Sequence, residues 1–205
     1  LQWQKMLEKG RISSDTCAAY SARLQACVSL DQLSACNLVI EAIVENLAVK
    51  KELFAQLETM VPVATVLATN TSSLSVTAIA AQLKHPERFA GYHFFNPVPL
   101  MKVVEVVAGL KTSSAVCEQL DAFTRLMGHT PVRTRDTPGF IVNHAGRGYG
   151  TEALRIVGES VSEVIAQPAA TMRMKVPMFE TRAAIHSDRY IAMRNGDHGP
   201  PVTFA

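Results

Sequence analysis

Five short apolar runs, each separated from the next by a helical stretch or a tight turn, limit this chain to a layered α/β sheet. They are "NLVIEAI" at 37–43, "TVLATN" at 65–70, "RFAGYHFF" at 88–95, "KVVEVV" at 102–107 and "TPVRTRD" at 130–136. The first four read as buried strands and "TPVRTRD" as a further strand. Between them, "NLAVKKELFAQLETMV" places Leu47, Leu53, Phe54, Leu57 and Val61 at helical spacing, with Asn46 as a cap. "SVTAIAAQL" reads as another helix, and a third spans roughly Ala115 to Leu126, closed by Gly128. The order strand, helix, strand, helix, strand, strand, helix, strand implies a doubly wound sheet with parallel pairs.

Upstream, Leu1 to about Cys27 is helical in pattern, broken near Gly10, with the Ser13–Ser14–Asp15 cluster as an N-cap for the second piece. The turn "DTPGF" at 136–140 ends the strand regime. We place a boundary at about 137, dividing a sheet domain, 1–136, from a helical region, 137–205. The stretch from Ile141 to Ala166 reads as helix despite its glycines. After Gln167 the pattern weakens, and the final "NGDHGPPVTFA" reads as loop.

Bulk properties exclude several classes. At 48% hydrophobic and 19% charged, the chain is globular in composition. A formal net charge of +2 gives no electrostatic case for nucleic acid or for a membrane surface. The longest apolar runs are too short to span a bilayer. Cys17, Cys27, Cys36 and Cys117 lack any metal-ligating spacing and read as reduced core thiols, which fits a cytoplasmic setting. The opening "LQWQKMLEKG" is not of secretory-leader type.

Within "GYHFFNPVPLMKVVEVV", three polar groups stand where burial disfavours them: His93, Asn96 and Glu105. Period-two alternation puts Met101, Val103, Glu105 and Val107 on one face of their strand, and His93 with Gly91 and Phe95 on one face of the strand before. If "NPVP" folds the two strands side by side, His93 and Glu105 face each other. A carboxylate beside an imidazole fixes its tautomer and raises its basicity, as in a general base, although a purely structural buried pair looks the same from spacing. "NTSS" at 70–73 and Glu45 follow buried strands at their carboxyl ends, the edge where open α/β sheets bind ligands. Ser72 or Ser73 could equally cap the next helix. Lys50 and Lys51 sit early in a helix, where the macrodipole disfavours cations. They suggest a nearby anion or else a solvated face.

Taken together, "VIEAIVENLAVKKELF", "LATNTSSLSVTAIA", "GYHFFNPVPLMKVVEV" and "DTPGFIVN" resemble the L-3-hydroxyacyl-CoA dehydrogenase family, in its bacterial 3-hydroxybutyryl-CoA dehydrogenase type, from Leu1 to about Val161. The resemblance implies NAD-dependent oxidation of an L-3-hydroxyacyl-CoA to the 3-oxoacyl-CoA in fatty-acid or aromatic-acid breakdown. It implies His93 as the base, Glu105 as its orienting partner, Ser72 near the substrate oxygen and the nicotinamide, and Asn143 positioning the acyl group. Asn96 would shape the same pocket, and Glu45 and Lys50 would lie near the cofactor. A homodimer through the helical region is also implied.

The chain departs from the family in several places. The glycine-rich loop G-x-G-x-x-G and the acidic residue after it, expected ahead of Leu1, do not occur. "GRGYG" at 146–150 has the wrong spacing and context for a nucleotide loop. We therefore expect an N-terminally truncated sheet lacking its first βαβ unit, with an exposed apolar edge beside the first remaining strand. The alternative function is an inactive fragment without the cofactor-binding loop. His144 stands where the family carries arginine, and beyond Val161 the sequence diverges. "HSD" at 186–188 reads as a solvent-exposed turn.

Overall fold

The computed structural model describes residues 2–158, 190–193 and 202–204. The five expected strands form as β1 (Leu38–Glu41), β2 (Val66–Thr69), β3 (Phe89–Phe94), β4 (Val103–Ala108) and β5 (Thr130–Arg135). Helices α1 (Gln2–Glu8) and α2 (Ser14–Ala22) precede them. Then α3 (Leu47–Met60), α4 (Val76–Ala80) and α5 (Ser114–Leu126) alternate with the strands, and α6 (Val142–Gly158) follows β5. β1, β2 and β3 run parallel, β4 is antiparallel to β3, and β5 is parallel to β4. The carboxyl ends of β1–β3 therefore share one sheet edge with the start of β4.

Strands β1–β4 divide their side chains between two apolar layers. Val39, Leu67, Phe89 and Val107 pack with Leu53, Phe54 and Leu57 of α3 and Val76 and Ile79 of α4. Leu38, Ile40, Val66, Ala90, Val104 and Val106 pack on the other face with Val116, Cys117 and Leu120 of α5. Burying each large aliphatic or aromatic side chain is worth roughly 1.5–3 kcal/mol. The four cysteines are free thiols.

The caps follow the sequence in most places. Ser13 accepts from Thr16 N ahead of α2, Asn46 accepts from Ala48 N and Val49 N ahead of α3, and Gly128 closes α5 at φ 74°. The cap of α4 is a correction: it is Ser75, which accepts from Ala78 N, and not Ser72 or Ser73.

Two expectations about the far end of the chain are overturned. β6 (Tyr190–Met193) pairs antiparallel along the whole of β1, and β7 (Val202–Phe204) pairs with β6, so the sheet order is β5-β4-β3-β2-β1-β6-β7. The edge beside β1 is therefore paired, not exposed, and part of the terminal stretch read as loop is strand. An open strand edge offers a row of unpaired amides and carbonyls, which an extended segment of the same chain can fill. "YIAM" and "VTF" have the composition for it. The "HSD" tripeptide lies outside the described residues.

Candidate active site at the sheet edge

β3 and β4 are joined by a turn that opens with a cis Asn96–Pro97 peptide, and their register sets His93 directly opposite Glu105. Both side chains lie on the α3/α4 face, as alternation implied. His93 is 4% exposed and Glu105 0%. His93 Nδ1–H donates to Glu105 Oε2 at 2.7 Å. The other carboxylate oxygen, Oε1, accepts from the backbone amides of Ile141 at 2.8 Å and Val142 at 3.0 Å, at the entrance to α6. Burial alone would raise the Glu105 carboxyl's pKa. The His93 hydrogen bond, the two amides and the charge of a protonated His93 outweigh burial and hold it below the usual carboxylate range.

An ionised carboxylate can only accept, so Nδ1 carries the proton and Nε2 presents its lone pair. Nε2 has no protein partner among the described residues. The rings of Phe95 and Phe140 flank the imidazole at 4.5 and 5.6 Å between centroids. The arrangement can take a proton at one fixed point in a largely apolar surrounding.

The loops after β1 and β2 are bound together beside this pair. Glu45 Oε1 accepts from Thr71 Oγ1, from Ser72 N at 3.1 Å and from Ser73 Oγ at 3.4 Å. Asn143, early in α6, donates from Nδ2 to the Ser72 carbonyl at 3.2 Å. Ser72 is thus held from two sides while its hydroxyl makes no hydrogen bond among the described residues. Asn70 Oδ1 accepts from Phe94 N at 2.9 Å, tying the same loop to β3. Among the sequence-predicted residues, the structure brings together His93 with Glu105 and Glu45, Ser72 and Asn143 with one another. Asn96 is exposed at the start of its turn.

Lys50 departs from its expected setting. It lies at the spacing of Leu53, Phe54 and Leu57, on the buried stripe of α3, and is 1% exposed. Its ammonium sits 2.6 Å from Glu41 Oε1 and 3.4 Å from Glu45 Oε2. The anions it faces are therefore protein carboxylates. Glu41, 0% exposed, also accepts from Ile43 N at 2.6 Å and from Thr69 Oγ1 at 2.7 Å. Sequence reasoning passed over Glu41 as one more residue of a buried strand. An acid within a fully buried run demands a buried cation, and Lys50 on the apolar stripe was the available signal.

Asp136 and Phe140 were passed over as well. Asp136 accepts from Ser75 Oγ, Val76 N and Thr77 N at the start of α4.

A nicotinamide dinucleotide needs a place for its ring and a cradle of amides for its pyrophosphate. The strand edge suits the ring: an open Ser72 hydroxyl and the Nε2 acceptor stand at neighbouring strand ends. The cradle is different. The first amides of α3 are taken by Asn46, and those of α4 by Asp136 and Ser75. The described residues fit the reactive end of the cofactor and leave its pyrophosphate without a helix N-terminus.

Comparison with known proteins gives the same picture. Residues 1–137 match the family model described as the 3-hydroxyacyl-CoA dehydrogenase, NAD binding domain. A 3-hydroxyadipyl-CoA dehydrogenase from Escherichia coli (strain K12) is 52% identical over 154 residues, covering 75% of this chain and 32% of that protein. A probable 3-hydroxybutyryl-CoA dehydrogenase from Bacillus subtilis (strain 168) is 40% identical over 76% of this chain and 54% of its own length. The crystal structure of a 3-hydroxybutyryl-CoA dehydrogenase from Escherichia coli K12 superimposes with a TM-score of 0.75 at 50% identity, over 78% of this chain and 34% of that one. The chain thus spans about a third to a half of the relatives it matches. By motif, fold and match alike, the chain belongs to the 3-hydroxyacyl-CoA dehydrogenase family, and the part of the family it matches is the NAD-binding domain.

Proposed function

We propose that this site oxidises the 3-hydroxyl of an L-3-hydroxyacyl-CoA to the 3-oxo group, with NAD as the oxidant. The observation that carries the reading is the buried His93–Glu105 pair with Nε2 left open at the sheet edge. NAD supplies the hydride acceptor. Nε2 takes the hydroxyl proton as the C3–H bond gives up its hydride and the C3–O bond becomes a carbonyl, so one proton and one hydride leave the substrate. Glu105 holds the imidazole in the accepting tautomer and stabilises the imidazolium that forms. Ser72 bonds the substrate oxygen near the nicotinamide, and Asn143, already bonded to the Ser72 carbonyl, positions the acyl group. Glu45 fixes the Ser72 loop, and Lys50 acts on the cofactor side by pairing with Glu41 and approaching Glu45. Asn96 lines the mouth of the pocket.

The related enzymes named for 3-hydroxyadipyl-CoA and 3-hydroxybutyryl-CoA share the 3-hydroxyacyl thioester, which supports that substrate class. The sheet domain, 1–136, would carry the base, and the helical region from 137 onward would close over the acyl chain and mediate a homodimer. The exposed Tyr149 and Leu154 leave apolar surface on α6 that such contacts would cover. Four free thiols support a cytoplasmic location. No helix among the described residues is long and apolar enough to cross a membrane.

NADH consumption with acetoacetyl-CoA tests the reading, run on the purified chain beside His93→Ala. Turnover that drops by about 10²-fold or more in the variant supports it. Unchanged turnover in a folded His93→Ala protein would sink the assignment of the base.

A further inference from the structure

The segment joining β5 to α6 is anchored twice, at points that lie on opposite sides of one turn. At its start, Asp136 Oδ2 accepts from Ser75 Oγ at 2.7 Å and Thr77 N at 2.8 Å, while Oδ1 accepts from Val76 N at 2.9 Å. Burial would raise the Asp136 carboxyl's pKa, but the donors of Thr77, Ser75 and Val76 hold it below its ordinary value. At its end, the amides of Ile141 and Val142 sit on Glu105 Oε1, and the Phe140 ring is buried against His93.

Between these anchors the backbone has little freedom. Pro138 fixes its own φ, and Phe140 N donates to the Thr137 carbonyl at 2.9 Å. Gly139 and Phe140 both take the left-handed conformation, at φ 79° and 50°. For a phenylalanine that conformation is strained and persists only where its surroundings impose it. A short, stiff connection held at both ends transmits the position of one end to the other.

We propose that Asp136 is a positioning residue for the His93–Glu105 pair. Pinned to α4, it sets the turn that delivers the Ile141 and Val142 amides to Glu105 and Phe140 to His93. This rests on the reading of His93 as the base, while Asp136 itself touches neither member of the pair. Among the described residues the ionisable group in contact with His93 is Glu105, and its other recorded neighbours are the Phe95 and Phe140 rings. The two amides share the Glu105 carboxylate with the imidazolium. Withdrawing them leaves a carboxylate that attracts His93's proton more strongly, so His93 should titrate at a higher pH.

The test compares the whole chain with Asp136→Asn, Asp136→Ala and Ser75→Ala. Amide exchange at Ile141 and Val142 and the titration of the His93 ring are followed by NMR, with thermal stability measured alongside. In both Asp136 variants, exchange at the two amides should quicken by about tenfold or more and His93 should titrate higher. In Ser75→Ala, which loses a cap but keeps both Asp136–amide bonds, the melting temperature should fall with His93 unmoved. The idea is overturned if the Asp136 variants lose stability while exchange and titration stay as in the unaltered chain, or if Ser75→Ala moves His93 as far. If Asp136→Ala does not fold, Asp136→Asn, which keeps one accepting oxygen, decides the matter. Where the unaltered chain turns over, kcat should fall in the Asp136 variants with little change in the KM for acetoacetyl-CoA. Absence of turnover in the unaltered chain would count against the proposed function, while exchange and titration still judge the latch.

Discussion

Glu105 meets three donors with two oxygens: His93 Nδ1–H on one side and two backbone amides on the other. A glutamine there has a single accepting oxygen. Either its NH₂ faces the two amides, or it faces Nδ1 and forces the proton onto Nε2, where no base remains. Glu105→Gln is therefore expected to lower kcat by about 10²-fold with a smaller effect on KM, read by steady-state kinetics with acetoacetyl-CoA. His93 and Glu105 were legible in the sequence because alternation alone puts them on matching faces and the connecting turn is short. Asp136 was not legible. Its partners lie about sixty residues earlier in the chain, and an aspartate opening a turn looks the same whether it caps its own turn or a distant helix.

Strands β1–β4 were readable because they are buried, so each announces itself as an apolar run. What the runs concealed was how individual residues are used inside them. On α3, Lys50 belongs by spacing to the buried stripe, yet its charge suggested solvent or a ligand. Its partners sit nine residues back and at the end of the next loop. Lys50→Met would leave Glu41 buried without its cation and should cost about 3–5 kcal/mol in chemical denaturation. The double variant with Glu41→Gln should recover part of that loss, since no buried charge is then left unpaired. On β3, Gly91 lies close against Val107 of β4 and Val76 of α4. A Cβ built there would stand 2.8 Å from Val107 Cβ and 2.8 Å from Val76 Cγ2. Gly91→Ala should destabilise the chain by about 1–3 kcal/mol, measured as a shift in urea midpoint, because neither neighbour is the loose end of a long side chain.

Across the whole molecule, two carboxylates with lowered pKa values, Glu105 and Asp136, hold the turn into α6 against the sheet layer. A group whose pKa is depressed on folding adds stability above its unfolded value, about 4 for these acids, and that stability is lost as pH falls through the folded value. The urea midpoint is therefore expected to drop steeply below about pH 4. The drop should be shallower in a Glu105→Gln, Asp136→Asn double variant than in the unaltered chain. At this scale the sequence was least informative. The alternation of elements implies parallel pairs, but which segment lies beside β1 depends on a distant stretch, and β6 does so from the far end of the chain. The pinned imidazole carries one further consequence. With Nδ1 committed to Glu105 the ring cannot turn over, so the proton acceptor stays at one point beside the edge proposed for the nicotinamide. A carbon bearing a hydroxyl, a hydrogen and two different arms can offer its hydroxyl to that point and its hydrogen to the cofactor, with its longer arm towards α6, in only one of its two mirror forms. Under the proposed reaction, the fixed acceptor would therefore admit one mirror form of the alcohol.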